Sequence, residues 1–447
     1  GFRPTPAVVS LIAVAGLLCM GYAIYFFNSN MAFPGLAAAL PCLGAGAVIY
    51  AGSVAATPVS RLLSFAPMRF VGKISYSLYL WHWPILVFQK IAPFIPGSES
   101  KIVARGGVIA LSFVAAALSW RFVEQPTRDR ARLATPALVR GAFAAAAAIC
   151  VGGVVMTATG GLPGRYSPEV LAVARYLDYD QVPQFRVGSC FLTRDFDFSA
   201  FDPKSCLPDE PGKPNIIVVG DSHAAALSHG LRKTFADANI LQISGVGCPP
   251  VVVFQPNPPA YCAPLLDLAF RQLPEQRKIA GVWLVARWNL GRDRAAPGWN
   301  ANWLDNLSDT IKALRARNVP IALIGPMPEY STELPRLIAR DFQTGGKEKP
   351  ATAITASSLH LDQIMADFAR REGVAYISLR EAICPNDLCP ARIGDVPLLF
   401  DTDHLTDRGS EFVAARISAQ LESTTASLKP PAARPAFARE GPSRALP

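Results

Sequence analysis

Five stretches in the first 160 residues, approximately 7–27, 34–54, 75–94, 102–123 and 136–158, each hold about 20 mostly apolar residues, the length needed to cross a hydrocarbon layer roughly 30 Å thick. A segment in lipid must satisfy its backbone hydrogen bonds internally, so such runs fold as helices. That pattern predicts a multi-pass α-helical membrane region of about five spans over 1–158. Residues 161–424 have the composition of an ordinary globular domain, so the overall 51% hydrophobic and 17% charged content comes from the first part. From about 425 the chain is Pro/Ala-rich without an apolar period, which predicts a disordered tail over 425–447.

Charge follows the same division. The net +9 lies wholly within residues 1–160, where 12 Lys and Arg face 3 Asp and Glu. The excess sits between hydrophobic segments, which argues against nucleic acid as a partner and for a bilayer. Arg3 precedes the first stretch; Arg61, Arg69 and Lys73 lie between the second and third. Arg128, Arg130, Arg132 and Arg140 surround the link from fourth to fifth, while 28–33 and 95–100 hold no Lys or Arg. With basic loops in the cytoplasm, the fifth span ends outside and everything after about 160 is extracytoplasmic. The chain opens at Gly1 and enters an apolar run with no signal-peptide pattern; the expectation is that upstream sequence is missing.

Cysteine usage tests this orientation independently. Cys19, Cys42 and Cys150 lie inside the apolar stretches, where small apolar packing accounts for them. The other six are sequence-local: Cys190 with Cys206, Cys248 with Cys262, and Cys384 with Cys389. Paired cysteines persist in oxidising compartments. Six allow fifteen connectivities, and nearest-neighbour pairing is the expectation. A zinc site using Cys384 and Cys389 is the rival, but no His or Cys at suitable spacing completes it, so no metal is expected.

Tyr76, Tyr79 and Trp83 share one helical stripe; Ser75, Tyr79 and His82 share an overlapping one. An ionisable His in a span is costly unless it faces a cavity or a partner, although Tyr and Trp also form interfacial belts that His82 could cap. The run Gly72-Lys-Ile-Ser-Tyr-Ser-Leu-Tyr-Leu-Trp-His-Trp-Pro84, followed by Trp120-Arg-Phe-Val-Glu-Gln-Pro-Thr-Arg128, resembles the late helices of acyltransferase family 3, membrane O-acyltransferases that modify cell-surface glycans. The resemblance marks Tyr76, Tyr79, His82 and Glu124 as the membrane-half motif. It implies an acyl-CoA donor, acetyl-CoA above all, with no bound cofactor, and a fused extracytoplasmic SGNH domain. The family's essential His and Arg lie in its first transmembrane helices, a region expected upstream of Gly1.

After a Gly/Pro-rich connector over 159–210, short apolar strands at 215–219, 239–243, 280–286, 320–325 and 374–378 alternate with helices near 222–236, 264–277, 301–318, 354–372 and 407–422. Such alternation predicts an α/β domain over 211–424, with helices on both faces of a parallel, flavodoxin-like sheet. Sites in these sheets lie at the carboxyl ends of strands. There, Asn215-Ile-Ile-Val-Val-Gly-Asp-Ser-His223 breaks on Gly220 and starts a helix at Ser222, where N–H groups can stabilise an oxyanion. Asp221 or Ser222 would alternatively be only an N-cap.

A nucleophilic serine needs a general base, and the base an orienting acid. Phe400-Asp-Thr-Asp-His-Leu-Thr406 offers His404 as base and Asp401, three residues earlier, as orienter. Asp403 is the alternative orienter, worse placed by adjacency. His223 is expected to shape the pocket, and His229 and His360 to be ordinary surface or helix residues. Gly-Asp-Ser and Asp-x-x-His resemble the first and last blocks of SGNH hydrolases and transferases. That family's oxyanion hole implies Gly245, preferred over Gly247, and Asn289 for this chain. The block Leu284-Val-Ala-Arg-Trp-Asn289 lacks Gly-x-Asn-Asp, so Arg287 or Trp288 is the alternative donor, with pocket packing the plainer role for Trp288.

The expected function is O-acyl transfer across the membrane to a glycan hydroxyl through an acyl-serine. The rivals are a carbohydrate esterase, which uses the same triad, and a non-catalytic membrane-anchored glycan-binding protein. Acceptor identity, acyl length and oligomeric state are not written in these residues.

Overall fold

The computed structural model describes residues 4–27, 35–91, 94–95, 100–129, 134–252, 258–288, 303–346 and 349–427. It divides into two compact units, Gly1–Leu162 and Pro163–Pro447.

In the first unit four helices are long and apolar enough to cross a membrane: Pro6–Phe26, Leu36–Val54, the continuous run Ile102–Arg128, and Thr135–Ala158. The stretch expected at 75–94 behaves differently. It lies within helix Ala66–Ile91, whose 26 residues suffice in length at about 1.5 Å per residue. Arg69, Lys73, His82, Gln89 and Lys90 dilute its apolar character, so by length and composition the described residues hold four such helices, not five. The first two pack through glycines. A Cβ on Gly16 would meet the Gly44 carbonyl oxygen at 2.5 Å, and one on Gly44 the Gly16 carbonyl at 2.7 Å, the close approach that small residues allow between apolar helices. The run Ile102–Arg128 contains a π-helical turn at Trp120–Glu124, a local widening that often marks a functional position.

The second unit is built on a six-stranded sheet. Its strands are β1 (Phe191–Leu192), β2 (Asn215–Gly220), β3 (Asn239–Gly245), β4 (Ile279–Val285), β5 (Ile321–Ile324) and β6 (Ala375–Ile377), in the order β1-β3-β2-β4-β5-β6. Every neighbouring pair is parallel. Side chains alternate between faces along a strand, and the core divides accordingly. Ile217, Val219, Leu241, Ile243, Val282 and Leu284 join one apolar cluster with helices Trp303–Arg315 and Ala356–Glu372. Val218, Ile240, Trp283 and Val285 join the other, with helices Ser222–Thr234, Leu334–Thr344 and Asp407–Ser427. The helix beginning at Cys262, expected as one piece, runs to Gln276 through a π turn at Leu268–Gln272.

Two helices on the second face set the site. At Gly230 of Ser222–Thr234 a Cβ would overlap the Ser410 carbonyl. The Gly230 N–H donates to Ser410 Oγ at 2.8 Å, and that hydroxyl donates to the Leu227 carbonyl at 3.1 Å. Leu227, Leu231, Val413 and Ile417 are fully buried there, each stabilising the contact by about 1.5–3 kcal/mol. The final helix begins after Thr406, whose hydroxyl accepts the Gly409 N–H at 3.0 Å.

The segment expected as a connector, 159–210, belongs in large part to this unit. Strand β1 pairs with β3, and Val173, Phe185 and Phe191 enter the second core cluster. Gln184 donates to the carbonyls of Ala226 and Leu405 at 3.2 and 3.0 Å. A two-residue strand and turns of helix leave no period in the sequence, which is why it reads as linker. Disulfides join Cys190–Cys206, Cys248–Cys262 and Cys384–Cys389. The final helix extends to Ser427; the rest of the expected tail lies outside the described residues.

Candidate active site

Strand β2 ends at Gly220, which has φ +154° and whose Cβ would collide with the Val285 carbonyl oxygen. Only glycine fits this turn. Asp221 is then the N-cap: its Oδ1 accepts the His223 N–H at 2.9 Å. Its Oδ2 accepts the Arg287 N–H at 2.9 Å, tying the turn to the end of β4. Capping by Asp221 leaves Ser222, the first helical residue, with its hydroxyl available.

Ser222 Oγ lies 2.8 Å from His404 Nε2, and His404 Nδ1 lies 2.7 Å from Asp401 Oδ2. A carboxylate accepts only, so Nδ1 carries the proton and Nε2 presents its lone pair to the serine O–H. Asp401 is itself fixed, its Oδ1 accepting the backbone N–H of Asp403 at 2.9 Å and of His404 at 2.7 Å. Burial pulls the His404 pKa down, but its hydrogen bond to Asp401 and the charges of Asp403, Asp401 and Asp221 outweigh it and raise it above the ordinary value.

Asp403, 3.7 Å from His404 Nδ1, serves another network. Its Oδ2 meets His223 Nε2 at 3.2 Å and Arg287 Nε at 3.0 Å, and its Oδ1 accepts from Thr402 Oγ1 at 2.7 Å. Burial alone would raise its pKa; the hydrogen bond with His223 and the charges of His404, His223 and Arg287 overcome that and hold it well below the usual carboxylate range. Arg287 also pairs with Glu329, at 2.9 and 3.2 Å. Side-chain atoms of His223, Asp403 and His404 lie within 4.8 Å of one another. Both His404 nitrogens are engaged and Arg287 neutralises Asp403, so this chemistry is a hydrogen-bonded network, not a cation's ligand set. His223, Asp403 and Arg287 stand out in the sequence in other roles, while nothing in its spacing announces Glu329.

The proposed oxyanion donors fare unequally. Trp288 is fully buried and its Nε1 donates to the Ile324 carbonyl at 2.7 Å, so it packs and does not stand in as donor. Arg287 does not stand in either: its N–H goes to Asp221 and its guanidinium to Glu329 and Asp403. Asn289 lies outside the described residues. At the end of β3, Ser244 and Val246 direct their N–H groups to the Cys190 and Leu192 carbonyls. The intervening Gly245 therefore faces β2, the strand that leads to Ser222. A Cβ at Gly245 would meet the Tyr261 ring at 2.8 Å and Cys248 Sγ at 3.0 Å, so packing alone already requires glycine there. His229 sits on the helix flank 3.5 Å from Glu411.

Of the membrane-half motif, Tyr79 and His82 line an apolar cavity of about 460 Å³ with Ser75, Ser112 and Phe113. His82 Nδ1 contacts the Tyr79 carbonyl at 2.8 Å. Tyr76 is exposed and does not line it. Glu124 accepts from Ser77 Oγ at 3.0 Å and pairs with Arg128 at 2.9 Å.

Residues 189–419 match the model of a family described as "SGNH domain (fused to AT3 domains)". The chain is similar to the peptidoglycan O-acetyltransferase OatA of Listeria monocytogenes, 30% identical over 127 residues, which are 28% of this chain and 20% of that protein. It is also similar to the O-acetyltransferase OatA of Staphylococcus aureus, 34% identical over 87 residues, 19% of this chain and 14% of that protein. The matches thus span a fifth or less of those relatives' own lengths. A solved structure, the periplasmic domain of a lipopolysaccharide acetyltransferase from Salmonella ser. Paratyphi A, is 25% identical, with a TM-score of 0.47, covering 56% of this chain and 97% of that one. With its α/β domain matched across more than half its length, the chain belongs to the family of SGNH domains fused to AT3 domains.

Proposed function

We propose that this protein is a membrane O-acetyltransferase that acetylates a cell-surface glycan through Ser222. The observation that carries the reading is the continuous Asp401–His404–Ser222 hydrogen-bonded chain at the carboxyl end of β2. Two O-acetyltransferases among its relatives support transfer, as do helices long enough to span a bilayer in the same chain.

In this reading, Ser222 Oγ attacks the acyl carbonyl as His404 Nε2 takes its proton. The bond to the donor breaks, and the leaving group departs with the proton from His404, leaving an acyl-serine. A sugar hydroxyl then gives its proton to His404 and attacks the ester. Collapse expels Ser222 Oγ, which recovers the proton. Asp401 stabilises the imidazolium formed in each half. The original acyl donor is an acyl-CoA in the cytoplasm, acetyl-CoA in the simplest case, from which the membrane half relays the group.

The arrangement proposed is a bacterial inner membrane with the Ser222 domain outside the cytoplasm. Three sequence-local disulfides support it, because they persist where thiols are oxidised. Helix Ala66–Ile91 serves as the fifth crossing in this arrangement, with Arg69 and Lys73 at its cytoplasmic end.

The test separates transfer from hydrolysis. Purified chain is given an acetylated glycan with no acyl donor, and free acetate is followed. Transfer predicts slow release that a second, unacetylated glycan suppresses by accepting the group. Rapid release that the second glycan does not alter would assign an esterase.

A further inference from the structure

Four rings form a row from the domain surface to the catalytic base. Tyr176 stacks on Tyr179 at 6.0 Å and 16°, Tyr179 on Phe400 at 4.8 Å and 18°, and Phe400 on His404 at 5.7 Å and 13°. Tyr179 is locked in place, its hydroxyl donating to Gln184 Oε1 at 2.9 Å and accepting the Asp407 N–H at 3.0 Å. Tyr176, half-buried, lies in the turn Arg175–Asp178 that follows helix Pro168–Ala174.

At the outer end of this row is a cavity of about 470 Å³, within the range of small-molecule sites, roughly 300–1,000 Å³. It is lined by Arg175, Tyr176, Asp178, Tyr179, Asp180 and Asp395. Asp395 belongs to the turn between strands Arg392–Ile393 and Val396–Pro397, just upstream of the loop that carries Asp401 and His404. The mechanism uses none of these six residues. Aromatic faces beside several carboxylates suit a neutral sugar: the apolar C–H face of a pyranose packs on a tyrosine, and its hydroxyls donate charge-assisted hydrogen bonds to carboxylates. Three carboxylates against one guanidinium disfavour an anionic sugar.

We propose that the cavity between Tyr176 and Asp395 is a subsite for a neutral pyranose unit of the acceptor glycan, a few sugar units away from the hydroxyl acylated at Ser222. The subsite rests on the glycan-acetyltransferase reading above. It gives the segment before β1 a substrate-holding task and predicts that a polymer is accepted in preference to a single sugar.

The experiment measures binding without catalysis. The full chain carrying Ser222→Ala, in detergent micelles, is titrated with chitotetraose and with maltotetraose. Binding of either tetrasaccharide is expected, and adding Tyr176→Ala should weaken it about tenfold without lowering the unfolding midpoint. In the otherwise wild-type chain, Tyr176→Ala should raise KM for a polymeric acceptor by about the same factor while kcat changes little. No binding of either sugar, binding unaffected by both Tyr176→Ala and Asp395→Ala, or a fall in kcat with KM unchanged would each overturn the proposal. If sugars bind but no acetyl group is ever transferred, the subsite stands and the transferase reading fails.

Discussion

Arg287 Nε lies 3.0 Å from Asp403 Oδ2, joining the end of β4 to the loop that carries His404. The Asp403 side chain is 4% exposed and the Arg287 side chain 39%, so removing the arginine takes the guanidinium away from a buried carboxylate and leaves it His223 and Thr402 as partners. Such breakage costs about 3–5 kcal/mol when both partners are buried, and solvent around Arg287 reduces it to roughly 1–3 kcal/mol. Arg287→Ala should therefore lower the unfolding midpoint. Arg287→Ala with Asp403→Asn should be less destabilised than the sum of the two single variants, measured by thermal unfolding. Strict additivity would mean that the pair contributes nothing.

The acid limb of the pH profile reports His404, which must be neutral at Nε2 to accept the serine proton. Its pKa is raised by Asp401 and the neighbouring carboxylates over the opposing effect of burial. Activity should therefore fall, as pH is lowered, through a value above the ordinary histidine pKa of about 6.5. Asp401→Asn removes the hydrogen-bonding carboxylate that raises it. It should move the limb to lower pH and reduce kcat on the order of 10⁴-fold, the loss seen when a triad base takes the wrong tautomer. A limb that stays in place in Asp401→Asn would mean another group controls it.

Gly220 should tolerate no side chain. With φ at +154° and the Val285 carbonyl where a Cβ would sit, Gly220→Ala must shift either β4 or the turn that presents Ser222. We expect a loss of at least about 2 kcal/mol in stability and of measurable activity, by denaturant unfolding and ester-hydrolysis assay. Near-wild-type values for both would contradict the turn geometry.

How legible was this in the sequence? The five strands from 215 to 378 and the Gly220–Ser222 turn were readable because apolar runs, glycine and a helix start coincide within a few residues. The pair Asp401 and His404 was readable because a three-residue spacing lets one loop hold both. Segment 163–207 was not readable as part of the domain, since its helices are a turn or two long and β1 is two residues. Arg287 and Trp288 looked like oxyanion donors because sequence shows residue type and not direction. Their N–H groups point at Asp221, Asp403, Glu329 and Ile324. Helix Ala66–Ile91 reads as a span from its apolar run, and its Arg69, Lys73, His82, Gln89 and Lys90 make it less apolar than the four others.

Thiol counting tests the oxidising location. The chain has nine cysteines, of which Cys19, Cys42 and Cys150 are free. Protein denatured without reductant should take up an alkylating probe only at those three, and at all nine after reduction. Removing the Cys190–Cys206 bond should cost about 2–4 kcal/mol. Full labelling without reductant, in protein isolated from its native membrane, would contradict an extracytoplasmic domain.

The central claim is that Ser222 carries the acyl group to the glycan. The most direct measurement is the O-acetyl content of surface glycan in cells whose own copy of the gene is deleted and replaced by the Ser222→Ala form, with membrane levels of the protein matched to wild type. The account predicts that acetylation restored by the wild-type gene is absent with Ser222→Ala. Acetylation at the wild-type level in the variant would contradict it and leave the domain as a glycan-binding module without this chemistry.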